Sequence, residues 1–323
     1  MGEERSALLE RESRWALPVG LLTFLGVVLV LAAGFAASSV SGEGEAEILR
    51  SVHEHGSAVN VAAALQAVGF ALLAVPLFYL FRAVRARSTR VRGQLVGVIV
   101  VAPLFLAVSV GLGGPTRNEA ASTFVNGEAK STLSKQEANR KCVAARRDNG
   151  AKSFGEEFEP AKGETALAAC ETRKVADDEA SNASTEASTA AIVTGLGIAG
   201  SLGFAAALFY TCLWAMRTGM LGRFWGSLGM AVGVALLIGF ILLTVVWFLY
   251  LGLLILGFVP GGRPPAWAEG KAVPLPTPGQ KAADELRGEG AEEPAAMAGT
   301  SPELEIGDTQ TDGSERRKRK QRD

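Results

Sequence analysis

Residues 16–40 of the chain read ALPVGLLTFLGVVLVLAAGFAASSV, an apolar stretch of 25 residues without a single charged side chain. As an α-helix, it exceeds the roughly 20 residues that cross the ~30 Å hydrocarbon core of a bilayer. A secretory signal peptide is the competing interpretation, but its apolar region spans only about 7 to 15 residues. The stretch therefore predicts a first transmembrane helix.

Further apolar segments follow at residues 59–81, 95–112, 190–215 and 225–259. The last one is longer than one span and short for two. As a single helix it gives five spans. Trp225 then lies in one aromatic belt at the membrane surface, and Trp247, Phe248 and Tyr250 form a second belt at the opposite surface. As a hairpin turning near Gly239 it gives six spans. For a turn near the middle of the run, Gly239 is the one turn-forming residue, which is a weak signal, so the sequence leaves both counts open.

Charge placement predicts the orientation of these segments. Residues 82–93, between the second and third segments, carry five arginines, and three more arginines precede the first segment. Lysine and arginine favour the cytoplasmic side of a membrane. We therefore expect a cytoplasmic N-terminus and an extracytoplasmic stretch at residues 113–189, which ends in acidic residues.

The resulting fold class is an all-α integral membrane protein with four regions. Residues 1–112 form three transmembrane helices with an arginine-rich cytoplasmic loop at 82–93, and residues 113–189 form a small helical extracytoplasmic domain. Residues 190–259 form two or three more helices. Residues 260–323 begin proline-rich and end in a basic run at 316–322. We expect a disordered tail from about Pro274, because its composition offers little apolar surface to bury.

Two helices are predicted within the extracytoplasmic stretch. Ser134 and Glu137 form a capping box, and Asn149-Gly150 provides a stop for the helix between them. A second helix is expected to begin near Glu164.

The three cysteines form no metal-binding spacing. Cys142 and Cys170 each fall in one of the two extracytoplasmic helices, on the oxidising side, so a disulfide between them is predicted; two unpaired thiols are the alternative. Cys212 falls in the fourth apolar segment and is expected to be a small core residue.

A glycine pattern in the fourth segment suggests helix packing. Residues 195–200 spell GLGIAG, which matches the dinucleotide-binding fingerprint, but that fingerprint requires a preceding strand and this segment is an apolar span. Small residues four apart allow helices to approach closely. We therefore predict that two such sets pack together, namely Gly195, Ala199 and Gly203 with Gly229 and Gly233.

No catalytic or cofactor-binding constellation is found in the sequence, so an enzyme is not expected. His53 and His55 are weak metal candidates, because residues two apart do not share a helix face. No ionisable side chain lies near the middle of a span, which disfavours an ion-driven transporter.

The last apolar segment is followed by Pro264-Pro265-Ala266-Trp267, by residues 271–278 (KAVPLPTP) and by the basic end. In these features the chain resembles a group of uncharacterised multi-pass membrane proteins of high-GC actinobacteria. The resemblance implies a bacterial plasma membrane and no particular activity.

The sequence favours a non-enzymatic envelope or interaction protein that presents its extracytoplasmic domain to a protein or cell-wall partner. The alternative is a small-solute permease or channel, which packing glycines and helix prolines would also suit. The lipid bilayer is one expected partner. The basic tail could also contact anionic lipid if it is cytoplasmic, although a solvated charge run is the favoured interpretation, and no nucleic acid partner or cofactor is expected.

Overall fold

The structure is a computed structural model that describes residues 2–158, 164–259 and 261–274. Every regular element within those ranges is helical. The helices are α1 (Gly2–Ala36), α2 (Glu45–Glu54), α3 (Gly56–Arg87), α4 (Val96–Val125), α5 (Lys135–Asn149), α6 (Ala151–Glu157), α7 (Ala166–Glu186), α8 (Ala190–Arg217), α9 (Arg223–Leu237), α10 (Ile241–Leu256) and α11 (Pro265–Glu269).

Four helical stretches of the described chain are long and apolar enough to cross a membrane. They are Arg5–Ser39, Gly56–Arg87, Gly93–Val125 and Ala190–Arg217, of 35, 32, 33 and 28 residues. Large apolar side chains on their outer faces are exposed; Leu21, Ile198 and Leu202 are each more than half accessible. An outward-facing apolar surface of this kind suits contact with lipid tails.

The apolar helices form a closed ring in which each packs on the next. The order is α1, α3, α4, α8, α9, α10, and α10 returns to α1. Glycines lie at the crossings, because they let two backbones approach. Gly26 of α1 faces Gly69 of α3, and Gly252 of α10 faces Thr23 of α1.

Apolar side chains fill the interior of the ring. Leu77, Leu80, Phe204, Leu208 and Phe248 are each fully buried. Phe204 and Phe248 stack with ring centroids 6.1 Å apart, which links α8 directly to α10. The centre of the bundle is therefore a packed core.

The last apolar segment is a hairpin, and the single-helix alternative is wrong. Its two arms, α9 and α10, contain 15 and 16 residues, or about 22 and 24 Å at 1.5 Å per residue. Gly239 lies between them with φ of +82°, a left-handed conformation that favours glycine. Trp225 stacks on Tyr250 with centroids 3.5 Å apart, so these aromatic residues lie at one level and form no second belt.

We call one end of the ring the basic end. It carries the start of α1, the α3–α4 loop, the α8–α9 turn and residues 261–274. Hydrogen bonds join these pieces: the Val273 amide donates to the Thr218 carbonyl at 3.0 Å, and the Trp267 indole donates to the Met220 carbonyl at 2.9 Å. The chain beyond α10 therefore returns to the end at which α1 begins.

The opposite end carries the distal domain, which we define as α2, α5, α6, α7 and the final turns of α4. The sequence placed the end of the third span at Leu112, but α4 continues to Val125. Gly114 fits tightly against Ala63 of α3, so α4 stays packed on α3 beyond residue 113, where the extracytoplasmic stretch was predicted to begin.

The capping box predicted at Ser134 and Glu137 is confirmed, and α5 ends at Asn149. The second predicted helix is α7, whose N-cap Thr165 accepts a hydrogen bond from the Ala168 amide. The expected disordered tail and its basic run at 316–322 lie outside the described residues.

The glycine prediction is only partly met. Gly195 faces open space and Ala199 is exposed, so neither packs against another helix among the described residues. Gly203 packs on Ala102 of α4 and does not reach α9. The glycines of α8 that face α4 are Gly197, Gly200 and Gly203, spaced three residues apart. A β-carbon on Gly200 would lie 2.6 Å from the Leu106 backbone nitrogen.

Gly229 and Gly233 of α9 do pack on α8, but against other residues than predicted. Gly229 lies against Cys212 and the Trp247 indole, and Gly233 lies against the Ala205 backbone. Cys212 is fully buried, as expected for a small core residue.

Candidate functional site

A disulfide anchors the outer part of the distal domain. Cys142 of α5 and Cys170 of α7 are joined, with their sulfurs 2.00 Å apart and their Cα atoms 6.0 Å apart. Phe154 and Phe158 pack over the bridge, with ring centroids 4.9 Å apart. The bridge and the two aromatic rings give this small unit a core of its own.

Two adjacent aspartates of α7 accept hydrogen bonds from segments that pack against this helix. Asp177 accepts a hydrogen bond from the Ala46 amide at 3.2 Å, at the start of α2. Asp178 accepts hydrogen bonds from the Ser131 hydroxyl and the Thr132 amide, both at 2.8 Å, and from the Leu133 amide at 3.0 Å. These bonds, led by the one from Ser131, hold the pKa of Asp178 below its usual value.

The distal domain is seated directly on the ring. Leu49 and Val52 of α2 pack with Ala121 and Phe124 of α4 and with Ala180 of α7 in one buried apolar cluster. This cluster fixes the orientation of the domain relative to the apolar helices.

A second contact fixes the junction between α7 and α8. The Glu119 carboxylate of α4 accepts hydrogen bonds from the Ser188 amide at 3.0 Å and from the Ser188 hydroxyl at 2.8 Å. The domain is therefore held from two sides.

The outward face of α5 is strongly basic. Five exposed cations share this short helix with only two acidic residues, Glu137 and Asp148, for a net charge of +3. The cations are Lys135, Arg140, Lys141, Arg146 and Arg147. No ion pair to any of them is found in the described parts of the chain.

Four residues at positions i, i+3, i+4 and i+7 form the central strip of that face, which we call the α5 strip: Arg140, Val143, Ala144 and Arg147. Val143 is 49% exposed and is the one large apolar side chain in the strip. The strip can attract negative charge and offers little apolar area.

The predicted metal candidates occupy a different place. His53 lines a cavity of about 410 Å³ between α2, the end of α4 and α7, together with Arg50, Glu54 and Glu179. The His55 ring lies 3.0 Å from the Ser51 carbonyl at the end of α2. Within the described ranges, no three His, Cys, Asp or Glu side chains come together as a metal site.

At the basic end, a buried cation connects three helices. The Arg87 side chain of α3 lies 2.7 Å from the Glu12 carboxylate of α1 and donates to the Ala266 carbonyl of α11 at 2.9 Å. Its guanidinium also lies 5.8 Å from the centroid of the Trp267 ring. Sequence reasoning placed Arg87 among the loop arginines and missed this role.

No protein-family description, curated protein or solved structure matches this chain.

Proposed function

We propose that this protein is a multi-pass protein of the bacterial plasma membrane that presents its distal domain outside the cell as a non-enzymatic docking element for the envelope. In this proposal the basic end is cytoplasmic. Four helices span the bilayer, and the α9–α10 hairpin enters from the cytoplasmic side and returns to it. The arginines of the α3–α4 loop support this orientation.

The observation that carries the proposal is the way in which the α5 strip is held. The disulfide between Cys142 and Cys170 joins α5 to α7, and α7 is tied to α2 and α4, which pack on the ring. A short helix with a net charge of +3 is thereby fixed to the distal domain. Because this helix is already ordered, binding a partner costs less conformational entropy than it would for a flexible segment.

The chemistry of the α5 strip favours a cell-wall polymer over a folded protein. Protein interfaces usually have an apolar centre, whereas Val143 is alone among charged and small residues in the strip. Arg140 and Arg147, which form no ion pair within the described ranges, can attract an extended anionic chain through long-range electrostatics. We therefore propose a negatively charged cell-wall polymer as the partner.

The experiment is co-sedimentation of the full chain, in nanodiscs of uncharged lipid, with isolated cell walls. The double variant R140Q/R147Q is compared with R90Q/R217Q, which removes the same charge from the basic end. We expect retention by the walls to fall about three- to tenfold only in the first variant, and to fall in all proteins as salt rises. Equal retention of both variants would contradict the proposal.

The permease or channel alternative has less support. The positions where a pathway would run are filled by Phe204, Phe248 and Leu77, all fully buried. Solute flux in proteoliposomes that depends on these residues would favour the alternative.

A further inference from the structure

A groove lies between α1 and α3 at the basic end, and it encloses about 380 Å³. One face of α1 and one face of α3 line this groove. Each helix contributes an arginine near the basic end and apolar side chains farther from that end. The residues that matter are Arg11, Trp15 and Val19 of α1 and Val75, Phe78 and Arg82 of α3.

The charge balance at the mouth of the groove is positive. Glu12 is the one acidic residue of the lining, and its carboxylate is occupied by the buried Arg87 guanidinium, at 2.7 and 2.8 Å. Arg11 and Arg82 are exposed, and in the described chain neither has a carboxylate within ion-pair distance. Among the described residues, the mouth therefore presents two positive charges that no ion pair compensates.

The dimensions of the groove suit a lipid. From Arg11 to Val19 it runs about 12 Å along α1, at 1.5 Å per residue. Trp15 beside the mouth is 57% exposed, and exposed tryptophans favour the level of the lipid headgroups. Val19, Val75 and Phe78 then lie at the depth of the acyl chains.

We propose that this groove binds one anionic glycerophospholipid. The lipid phosphate lies between Arg11 and Arg82, and an acyl chain follows Val19, Val75 and Phe78. A guanidinium group can bind a phosphate through two hydrogen bonds, and two guanidinium groups favour a headgroup with net negative charge over a zwitterionic one. This inference is independent of the proposed docking to the cell wall.

The test is native mass spectrometry of the full chain, delipidated in a neutral detergent and titrated with phosphatidylglycerol or phosphatidylcholine. We expect saturable binding of one phosphatidylglycerol with about tenfold preference over phosphatidylcholine. The variant R11Q/R82Q should lose that preference. R14Q is the matched control, because Arg14 pairs with Glu10 on the same helix and does not line the groove.

A second variant and a soluble probe make the test decisive. A86W fills the groove from α3 without changing any charge, and it should reduce phosphatidylglycerol binding about tenfold. Soluble glycerophosphoglycerol should compete poorly, because it lacks the acyl chain. The proposal is overturned if R11Q/R82Q keeps the preference, if A86W binds normally, or if the soluble headgroup competes as well as the lipid.

Discussion

Arg87 and Glu12, 75 residues apart in sequence, form a two-bond ion pair that joins the end of α3 to the first turns of α1. The Arg87 side chain is fully buried, and that of Glu12 is 14% exposed. Arg87 also donates to the carbonyls of Ala83 and Ala266, so its remaining N–H groups are partly satisfied.

Removing the acid should destabilise the protein strongly. We expect Glu12→Ala to lower the free energy of unfolding by about 3 to 5 kcal/mol, because it leaves the buried Arg87 charge without compensation. Unfolding by denaturant in detergent micelles measures the effect. Glu10→Ala is the control: the Glu10–Arg14 pair is 72% and 75% exposed, so its loss should cost under about 1 kcal/mol. If both variants lost the same free energy of unfolding, the burial of Arg87 would make no difference to the strength of its ion pair, which contradicts the prediction.

Loss of the disulfide should loosen the distal domain and leave the ring intact. Cys142→Ser removes a link across a sequence separation of 28, which the chain-entropy model values at about 3 to 4 kcal/mol. Limited proteolysis should then cut between α5 and α7 while the apolar helices stay protected. The parent protein under reducing conditions should behave like the variant, and an unchanged cleavage pattern in both would contradict the prediction.

The two faces of α8 should respond differently to the same substitution. Gly200→Leu forces a side chain into the Leu106 backbone and should destabilise the protein by more than about 3 kcal/mol or prevent folding. Gly195→Leu adds the same side chain at an open position and should change stability by less than about 0.5 kcal/mol. Fluorescence-detected size exclusion after a heating series compares the two. A larger effect at Gly195 would contradict the packing of α4 on α8.

Acid should release the segment at residues 131–133 from α7. The folded pKa of Asp178 lies below its usual 3.8, so its stabilising effect is complete above that value and is lost as the pH falls through the folded pKa. We expect hydrogen-exchange protection of the Thr132 and Leu133 amides to fall as the pH is lowered below about 4. Asp178→Asn should lose this dependence on acid, while Glu128→Gln should keep it.

Accessibility of single cysteines tests the orientation. Gln136 is exposed on α5, and Lys271 lies at the basic end beside the Val273–Thr218 hydrogen bond. We expect Gln136→Cys to react with an impermeant maleimide on intact cells and Lys271→Cys to react only after permeabilisation. The reverse pattern would invert the protein in the membrane. Labelling of both on intact cells would place the two ends on the same side of the membrane and would contradict the proposal.

Local features of the fold could be predicted from the sequence, because their signals are local. The capping box at Ser134 lies within four residues, and the cysteine pair follows from two helices on one side of a membrane. The existence of a hairpin in the last segment was left open, since Gly239 is the one residue that marks its turn.

Features set by distant contacts could not be predicted in the same way. A small-residue pattern indicates close approach without indicating which face is inward. Gly195 and Ala199 fit that pattern, but Gly197 and Gly200 make the contact with α4. The partner of Arg87 lies on another helix, and no spacing rule connects it to Glu12.

The closure of α10 onto α1 has a consequence for biosynthesis. Leu256, which covers Gly20, follows it by 236 residues, so Gly20 leaves the ribosome long before its neighbour. In the proposed membrane placement, the side of α1 that α10 covers faces lipid or the insertion machinery until α10 is inserted. The α9–α10 hairpin is thus the last apolar part of the ring to be synthesised. A chain truncated before it would leave the ring open between α8 and α1 and would expose these surfaces to the quality-control proteases of the membrane.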